Sequence, residues 1–164
     1  MLVADIIRER HPMRPTAPRD TAGTILLVGA SRGLGLAMAD AFLKRGWAVV
    51  GTVRGSARTK LHDLANEYEG RVEIESLDIT EPDQIATLHD RLSGRSFDIL
   101  FVNAGTANPD DETIAAVSTE EFVRVMVTNA LSPMRVVEGL QNLVPANGLI
   151  GIMSSGQQQR EGQA

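Results

Sequence analysis

The sequence contains no cysteine, which excludes disulfide bonds, cysteine-ligated metal sites and thiolate chemistry. No apolar run approaches the roughly 20 residues that a membrane-spanning helix needs. The net charge is -5, whereas proteins that bind nucleic acids usually concentrate Lys and Arg to neutralise phosphate. These shortages favour a cytoplasmic protein that binds neither nucleic acid nor membrane, and no metal site is predicted.

The remaining composition is typical of one globular domain with a tail at each end. The 164 residues are 43% hydrophobic and carry mixed charges, which is enough to bury a core. The N-terminus begins apolar, but charged residues interrupt the run before a secretory signal could form. We predict a flexible tail at 1–23; the alternative is an arginine-rich organelle-targeting segment, which its acidic residues disfavour. The domain is predicted at 24–156 and a polar tail at 157–164.

From residue 24 onward, apolar runs of strand length alternate with stretches in which apolar residues recur at helical spacing. This alternation predicts a parallel sheet with helices on its faces, which is the doubly wound α/β or Rossmann class. Five strands amount to half or more of such a sheet. The predicted strands read TILLVG, WAVVGTV, VEIESL, DILFVN and GLIGIM.

Four helices are predicted between these strands. The first ends where Gly46 offers a C-terminal cap, and Ser118 with Glu121 forms the capping-box pattern that opens the last. Thr80 is predicted to cap the third helix, with Pro82 in its first turn. The four predicted spans are 34–45, 58–69, a helix that starts after residue 80, and 118 to about 143.

A glycine-rich stretch, VGASRGLG, joins the first strand to the first helix. Gly29, Gly33 and Gly35 give it the spacing G-x-x-x-G-x-G. Glycines let the backbone turn sharply, approach a diphosphate closely, and pack the following helix on the sheet. The free N–H groups at the helix start then favour negative charge. The loop predicts nucleotide binding; the alternative is a tight turn with a purely structural role.

This loop resembles that of the classical short-chain dehydrogenase/reductase family, whose first loop often reads T-G-A-S-R-G-I-G; Val28 stands here for the leading Thr. The resemblance implies that 24–156 is a dinucleotide-binding domain that oxidises or reduces a small alcohol or carbonyl compound with NAD(P), as a homo-oligomer. Extended-branch nucleoside-sugar epimerases are the nearest rival, but their glycine spacing is usually G-x-x-G-x-x-G. The loop residues implied to bind cofactor are Gly29, Ser31, Arg32, Gly33, Leu34 and Gly35.

The end of the second strand indicates which cofactor is bound. Proteins that bind NAD usually place a carboxylate there for the ribose hydroxyls, whereas this sequence offers Thr52, Val53 and Arg54. Arg32 in the glycine loop can face the same ribose, and two guanidinium groups suit a 2'-phosphate. NADP is therefore predicted in preference to NAD. The alternative is that Arg54 and Arg58 are only solvated surface charges.

Two further positions match the family at the ends of later strands. Asp78 lies where the family keeps an Asp that accepts a hydrogen bond from the adenine amino group, although it could equally help to start the next helix. Asn103, Ala104 and Gly105 resemble the N-A-G motif. Its small residues let the nicotinamide ribose approach, and the Asn amide can join neighbouring strands. A simple turn is the alternative.

Asn129 lies among apolar residues of the last predicted helix, and most such residues simply face solvent or a neighbouring backbone. Pro133, four residues later, cannot donate a hydrogen bond to the carbonyl of Asn129, so the helix is predicted to kink there. In the family the matching Asn uses this free carbonyl to hold a water of the proton relay. Asn129 is therefore a catalytic candidate.

The resemblance also implies a Ser at the end of the fifth strand that polarises the substrate oxygen. Ser155 is the first candidate and Ser154 the second, because the family pattern S-x-x-G is broken by Gln158.

The family's proton donor is a Tyr about a dozen residues after this Ser, with a Lys four residues later. The only tyrosine here, Tyr68, and the two lysines, Lys44 and Lys60, all precede the site. We therefore expect the N-terminal portion of a reductase, truncated before the Tyr-x-x-x-Lys motif, with a sheet incomplete at its C-terminal side and little or no activity alone. The alternatives are a non-catalytic NADP-binding module and an interaction partner of a full-length relative.

Overall fold

The computed structural model describes residues 22–107 and 115–154 and shows a five-stranded, fully parallel sheet. The strand order is β3-β2-β1-β4-β5, so the direction of winding reverses beside β1. The doubly wound α/β fold predicted from the alternation is confirmed. The strands are β1 (Thr24–Val28), β2 (Ala48–Val53), β3 (Val72–Ser76), β4 (Ile99–Val102) and β5 (Leu149–Ile152).

Five α-helices of the described residues cover the two faces of the sheet. A π-helical turn, Val127–Leu131, joins the last two of these helices, and a short 3-10 turn, Gln141–Leu143, follows the last one. The helices are α1 (Gly33–Lys44), α2 (Lys60–Glu67), α3 (Pro82–Leu92), α4 (Thr119–Met126) and α5 (Ser132–Leu140).

The hydrophobic core consists of two clusters, one on each face of the sheet. Alternate residues of β1 enter different clusters, because successive side chains of a strand point to opposite faces. Leu26 and Val28 pack with residues of α3 and α5, whereas Ile25 and Leu27 pack with residues of α1 and α2. All four are fully buried. The uninterrupted apolar run of β1 is therefore a consequence of burial on both faces.

Two predicted helix ends are confirmed. Gly46 follows α1 with a φ of 84°, a backbone conformation that glycine adopts without strain, and its N–H donates to the carbonyl of Leu43 at 2.9 Å. At the start of α4, the hydroxyl of Ser118 accepts from the N–H of Glu121 at 3.1 Å. Both contacts satisfy backbone groups that the helix itself leaves unpaired.

The predicted cap of the third helix is wrong by one residue. The N-cap of α3 is Glu81, and Pro82 is the first helical residue. Thr80 instead donates its hydroxyl to Oδ1 of Asp78 at 2.7 Å. The Thr80 side chain bonds the carboxylate of Asp78, two residues earlier, because a charged acceptor forms a stronger hydrogen bond than the cap would.

The single long helix predicted from Ser118 is interrupted near Asn129, as the proline led us to expect. The interruption is the π-helical turn, in which the N–H of Ser132 donates to the carbonyl of Val127, five residues earlier. Pro133 has no N–H with which to continue the α-helical pattern back to Asn129. The irregularity of the helix therefore lies at the asparagine that the family resemblance marks.

The two edges of the sheet differ in character. On the β3 edge, Glu73 pairs with Arg95 and Glu75 with Arg91, each at 2.8 Å, and such charges discourage further strand pairing. The β5 edge is apolar and exposed, and so is one side of the α4–α5 segment. We call these side chains the exposed apolar set: Phe122, Val123, Met126, Leu131, Met134, Leu149, Ile150, Ile152 and Met153. Among the helices at 22–107 and 115–154, none is long and apolar enough to cross a membrane.

Ser132 provides a test of the packing below the π-helical turn. Its side chain is fully buried, and its Oγ has no hydrogen-bond partner among the described residues. We expect Ser132→Ala to raise the free energy of unfolding by about 1 kcal/mol, because an unpaired buried hydroxyl is costly. The matched change Ser118→Ala removes a helix cap and is expected to lower it by about 1 kcal/mol. Urea denaturation measures both, and destabilisation by Ser132→Ala would contradict this packing.

Candidate functional site

A cavity of about 490 Å³ opens at the carboxyl ends of β1 to β4, where the loops that follow these strands meet. This is the edge at which doubly wound sheets bind ligands. Leu34 and Gly35 do not line it. The other residues that the sequence marked for cofactor binding all do: Gly29, Ser31, Arg32, Gly33, Arg54, Asp78, Asn103, Ala104 and Gly105.

The glycines of the loop serve different ends. Gly29 has a φ of 88°, and a Cβ there would lie 2.7 Å from Cα of Ala104, so two backbones approach closely at this point. Gly33, with a φ of 57°, has open space around it, and only its conformation requires glycine. A Cβ on Gly35 would collide with the carbonyl oxygen of Gly29. Gly35 therefore shapes the cavity by letting α1 pack against the loop.

Side chains from both neighbouring strands hold Gly29 in place. Nδ2 of Asn103, after β4, donates to the carbonyl of Gly29 at 2.9 Å, which is the strand-joining contact expected of its amide. On the other side, Oγ1 of Thr52 in β2 accepts from the N–H of Gly29 at 3.0 Å. This contact of Thr52 was not predicted from the sequence. Its only signal was a hydroxyl in an otherwise apolar strand.

Two arginines give the β2 side of the cavity its positive charge. Arg32 and Arg54 are exposed, and within 22–107 and 115–154 neither forms an ion pair. Arg58, in contrast, does not line the cavity and pairs with Asp63 at 2.6 Å. The surface-charge interpretation therefore fits Arg58, whereas Arg32 and Arg54 are available to an anionic ligand.

Asp78 lines the cavity after β3, the strand beside β2. Thr80 donates both its N–H, at 3.0 Å, and its hydroxyl, at 2.7 Å, to Oδ1 of this carboxylate. Partial burial acts to raise the pKa of Asp78, but the two Thr80 hydrogen bonds and the positive charge of Arg54 together hold it below its ordinary value. Asp78 is consequently an ionised hydrogen-bond acceptor at neutral pH.

The loop after β4 is held by the π-helical turn. The side-chain amide of Asn129 forms two hydrogen bonds with the backbone of Thr106: its Oδ1 accepts from the N–H at 2.8 Å and its Nδ2 donates to the carbonyl at 2.7 Å. Nη1 of Arg124 donates to the Thr106 hydroxyl at 3.2 Å. Asn129 therefore acts on the cavity through Thr106 and is not itself among the lining residues.

Several lining residues went unmarked in the sequence, because no local pattern distinguishes them from ordinary loop positions. They share only their place at the carboxyl ends of the strands, or on α4 and the turn behind it. Besides Thr52 and Thr106, they are Val53, Thr59, Leu77, Ile79, Thr80, Arg124 and Thr128.

The predicted catalytic serine, Ser155, lies outside the described residues. Ser154 is described and exposed, two residues after β5 ends. Tyr68 ends α2 and stacks under Arg71, and Lys44 pairs with Asp40 at 2.7 Å on α1. No tyrosine or lysine is found among the lining residues, so the part of the cavity described here holds no Tyr-Lys pair.

Known proteins are similar to this chain over most of its length. The profile of a family described as Enoyl-(Acyl carrier protein) reductase matches residues 29–163. The serine 3-dehydrogenase of Agrobacterium fabrum is 33% identical over 139 residues, which are 82% of this chain and 54% of that protein. The chain spans about half the length of the curated relatives it matches, between 34% and 57% for four of them.

Solved structures of two similar proteins contain NADP. One is assigned as a short-chain dehydrogenase/reductase from Burkholderia multivorans with bound NADP; it is 69% identical, with a TM-score of 0.79, over 82% of this chain and 59% of that one. The other is a carbonyl reductase from Pseudomonas aeruginosa in complex with NADP, 35% identical with a TM-score of 0.75, over 82% and 59% of the two chains.

The lowered pKa of Asp78 predicts a pH dependence of stability. A carboxyl group whose pKa is lower in the folded state stabilises the fold above its unfolded pKa, and that contribution is lost as the pH falls through the folded pKa. We expect wild type to be more stable than Asp78→Asn at neutral pH, with the difference shrinking below about pH 4. Thr80→Val, which removes one donor, is expected to weaken the same dependence. A difference unchanged down to about pH 2 would contradict this assignment.

Proposed function

Because this chain belongs to the short-chain dehydrogenase/reductase family, we propose that it binds NADP(H) in the cavity, as part of an oxidoreductase that acts on an alcohol or carbonyl compound. The observation that carries the proposal is the combination of the glycine loop with Arg32 and Arg54 in one cavity. No carboxylate occurs at the end of β2 in the sequence, where one would accept from the ribose hydroxyls of NAD. NADP bound to two similar proteins supports this choice.

The residues present fit a dinucleotide with a 2'-phosphate. The backbone at Gly33 faces open space, as close approach of a diphosphate requires. Arg32 and Arg54 would hold the 2'-phosphate, and Asp78 would accept from the adenine amino group. Ala104 and Gly105, with their small side chains, would admit the nicotinamide ribose. When bound, the cofactor supplies or receives the hydride.

For the chemistry we propose Ser155 as the group that polarises the substrate oxygen, with Ser154 as its alternative. The carbonyl of Asn129 would hold a water of the proton relay, while its side chain keeps the Thr106 backbone in place. A positioned general acid is worth roughly 100 to 10,000 fold in rate. We expect little or no turnover from the 164 residues alone, because the Tyr-Lys pair of the family does not occur in them after the serine.

Calorimetric titration with NADPH and NADH tests the cofactor assignment. Arg54→Ala is expected to weaken NADPH binding by roughly 10 to 100 fold, since a charge-assisted hydrogen bond to phosphate is lost, and to leave NADH binding unchanged. Arg58→Ala is the matched control, because that arginine pairs with Asp63 outside the cavity. Equal effects of the two variants, or no binding of NADPH to folded wild type, would refute the assignment.

A second candidate function is association with another chain, either a second copy or a full-length relative. The exposed apolar set favours it, because contiguous apolar surface on a soluble protein commonly marks an interface.

We also propose that the protein is located in the cytoplasm, which was inferred from the composition of the sequence.

Sedimentation velocity tests this association. Met134 is 66% exposed, so Met134→Glu is expected to leave the fold intact while shifting the population toward monomer. Asn66→Glu adds the same charge to α2, on the opposite face of the sheet, and is expected to change nothing. A wild-type chain that is monomeric at all concentrations, or a Met134→Glu chain that associates like wild type, would count against an interface here.

A further inference from the structure

Thr52 is one of two polar residues that are buried among those the structure describes. Its side chain is 1% exposed, and it lies one residue before the end of β2. The other buried polar residue, Ser132, has an unpaired hydroxyl, whereas the Thr52 hydroxyl is engaged: it accepts from the N–H of Gly29 at 3.0 Å. The carbonyl of Thr52 accepts from the next N–H, that of Ala30, at 2.9 Å. One residue thus takes two consecutive donors of the glycine loop.

The N–H of Gly29 needs the Thr52 hydroxyl as a partner because β1 ends at Val28, the residue before Gly29. The backbone at Gly29 has turned to a φ of 88°, and the oxygen that meets its N–H belongs to a side chain of β2 rather than to the backbone of that strand. An N–H left unpaired in this partly buried turn would be costly. Without the Thr52 hydroxyl, the first turn of the loop loses one of the two hydrogen bonds that tie it to Thr52, and only the bond from the Ala30 N–H remains.

Thr52 also lies two residues before Arg54. We propose that Thr52 is a positioning residue that sets the spacing between the glycine loop and Arg54, and thereby the preference for NADP(H) over NAD(H). This inference rests on the proposed function. The loop would hold the diphosphate and Arg54 the 2'-phosphate. A nucleotide that carries both groups therefore reaches its full affinity only when both contacts form at once.

The spacing argument separates the two nucleotides. Of these two contacts NADH makes only the one with the loop, so a looser loop weakens its binding only through the diphosphate. NADPH uses the loop and Arg54 together, so it loses the diphosphate contact and part of the second contact as well. A residue with a merely structural role would weaken both nucleotides by the same factor. The ratio of the two dissociation constants is therefore the informative quantity.

The experiment compares Thr52→Val, which removes the hydroxyl at nearly constant shape, with Thr52→Ser, which keeps it. We expect Thr52→Val to weaken NADPH binding about tenfold and NADH binding about threefold by calorimetry, and Thr52→Ser to resemble wild type. Thr87→Val is the matched control, because the Thr87 hydroxyl bonds only the carbonyl of Asp83 on an exposed helix. Circular dichroism establishes that each variant is folded.

Equal weakening of both nucleotides by Thr52→Val, or none, would overturn the inference while leaving the proposed function intact. If folded wild type binds neither nucleotide, the proposed function fails and the inference with it. Amide hydrogen exchange of wild type without nucleotide needs no variant: we expect Gly29 to be protected, and free exchange at Gly29 would overturn the positioning role even if Thr52→Val does not fold.

Discussion

The two hydrogen bonds that hold Gly29 are the constraint on which the rest of the site depends. Its N–H is held by the Thr52 hydroxyl from the β2 side, and its carbonyl by the Asn103 amide from the β4 side. β1 ends at the residue before Gly29, so side chains rather than strand backbones pair with the N–H and the carbonyl of Gly29. A side chain on Gly29 would meet Ala104, and one on Gly35 would meet Gly29 itself.

The hydrogen bonds to Gly29 also affect the parts of the site that follow it in the chain. With the first turn fixed, α1 starts at Gly33 with its N-terminus toward the cavity, where the helix dipole favours anions. Arg54 and Asp78 follow the next two strands, β2 and β3, so the cavity is lined by a positive charge and by an ionised hydrogen-bond acceptor. The loop at Thr106 closes the opposite end because Asn129 holds its backbone.

Much of this could be predicted from local pattern, and the rest depends on contacts distant in sequence. The apolar run of β1, the cap at Gly46 and the irregular helix at Asn129 each follow from rules that act within a few residues. The role of Thr52 has no local signal, because its partner is 23 residues away in another element. Thr80 matches the pattern of a helix cap, but Asp78 competes as an acceptor for its hydroxyl.

The described residues supply the groups that would bind a nucleotide, but they supply no Tyr-Lys pair at the cavity. Groups that would contact a nucleotide converge on one cavity, whereas the side of the fold near β5 presents exposed apolar residues and no tyrosine or lysine at the cavity. The β3 edge differs, because its glutamates are paired with arginines, and such charges discourage further strand pairing.

Amide spectra recorded by nuclear magnetic resonance during an NADPH titration test the central claim most directly. The account predicts shifts concentrated at Gly29 to Gly33 and at Arg54, Asp78 and Gly105, the residues that surround the cavity. A folded chain whose spectrum does not change, or whose changes lie on α4, α5 and β5 alone, would contradict it.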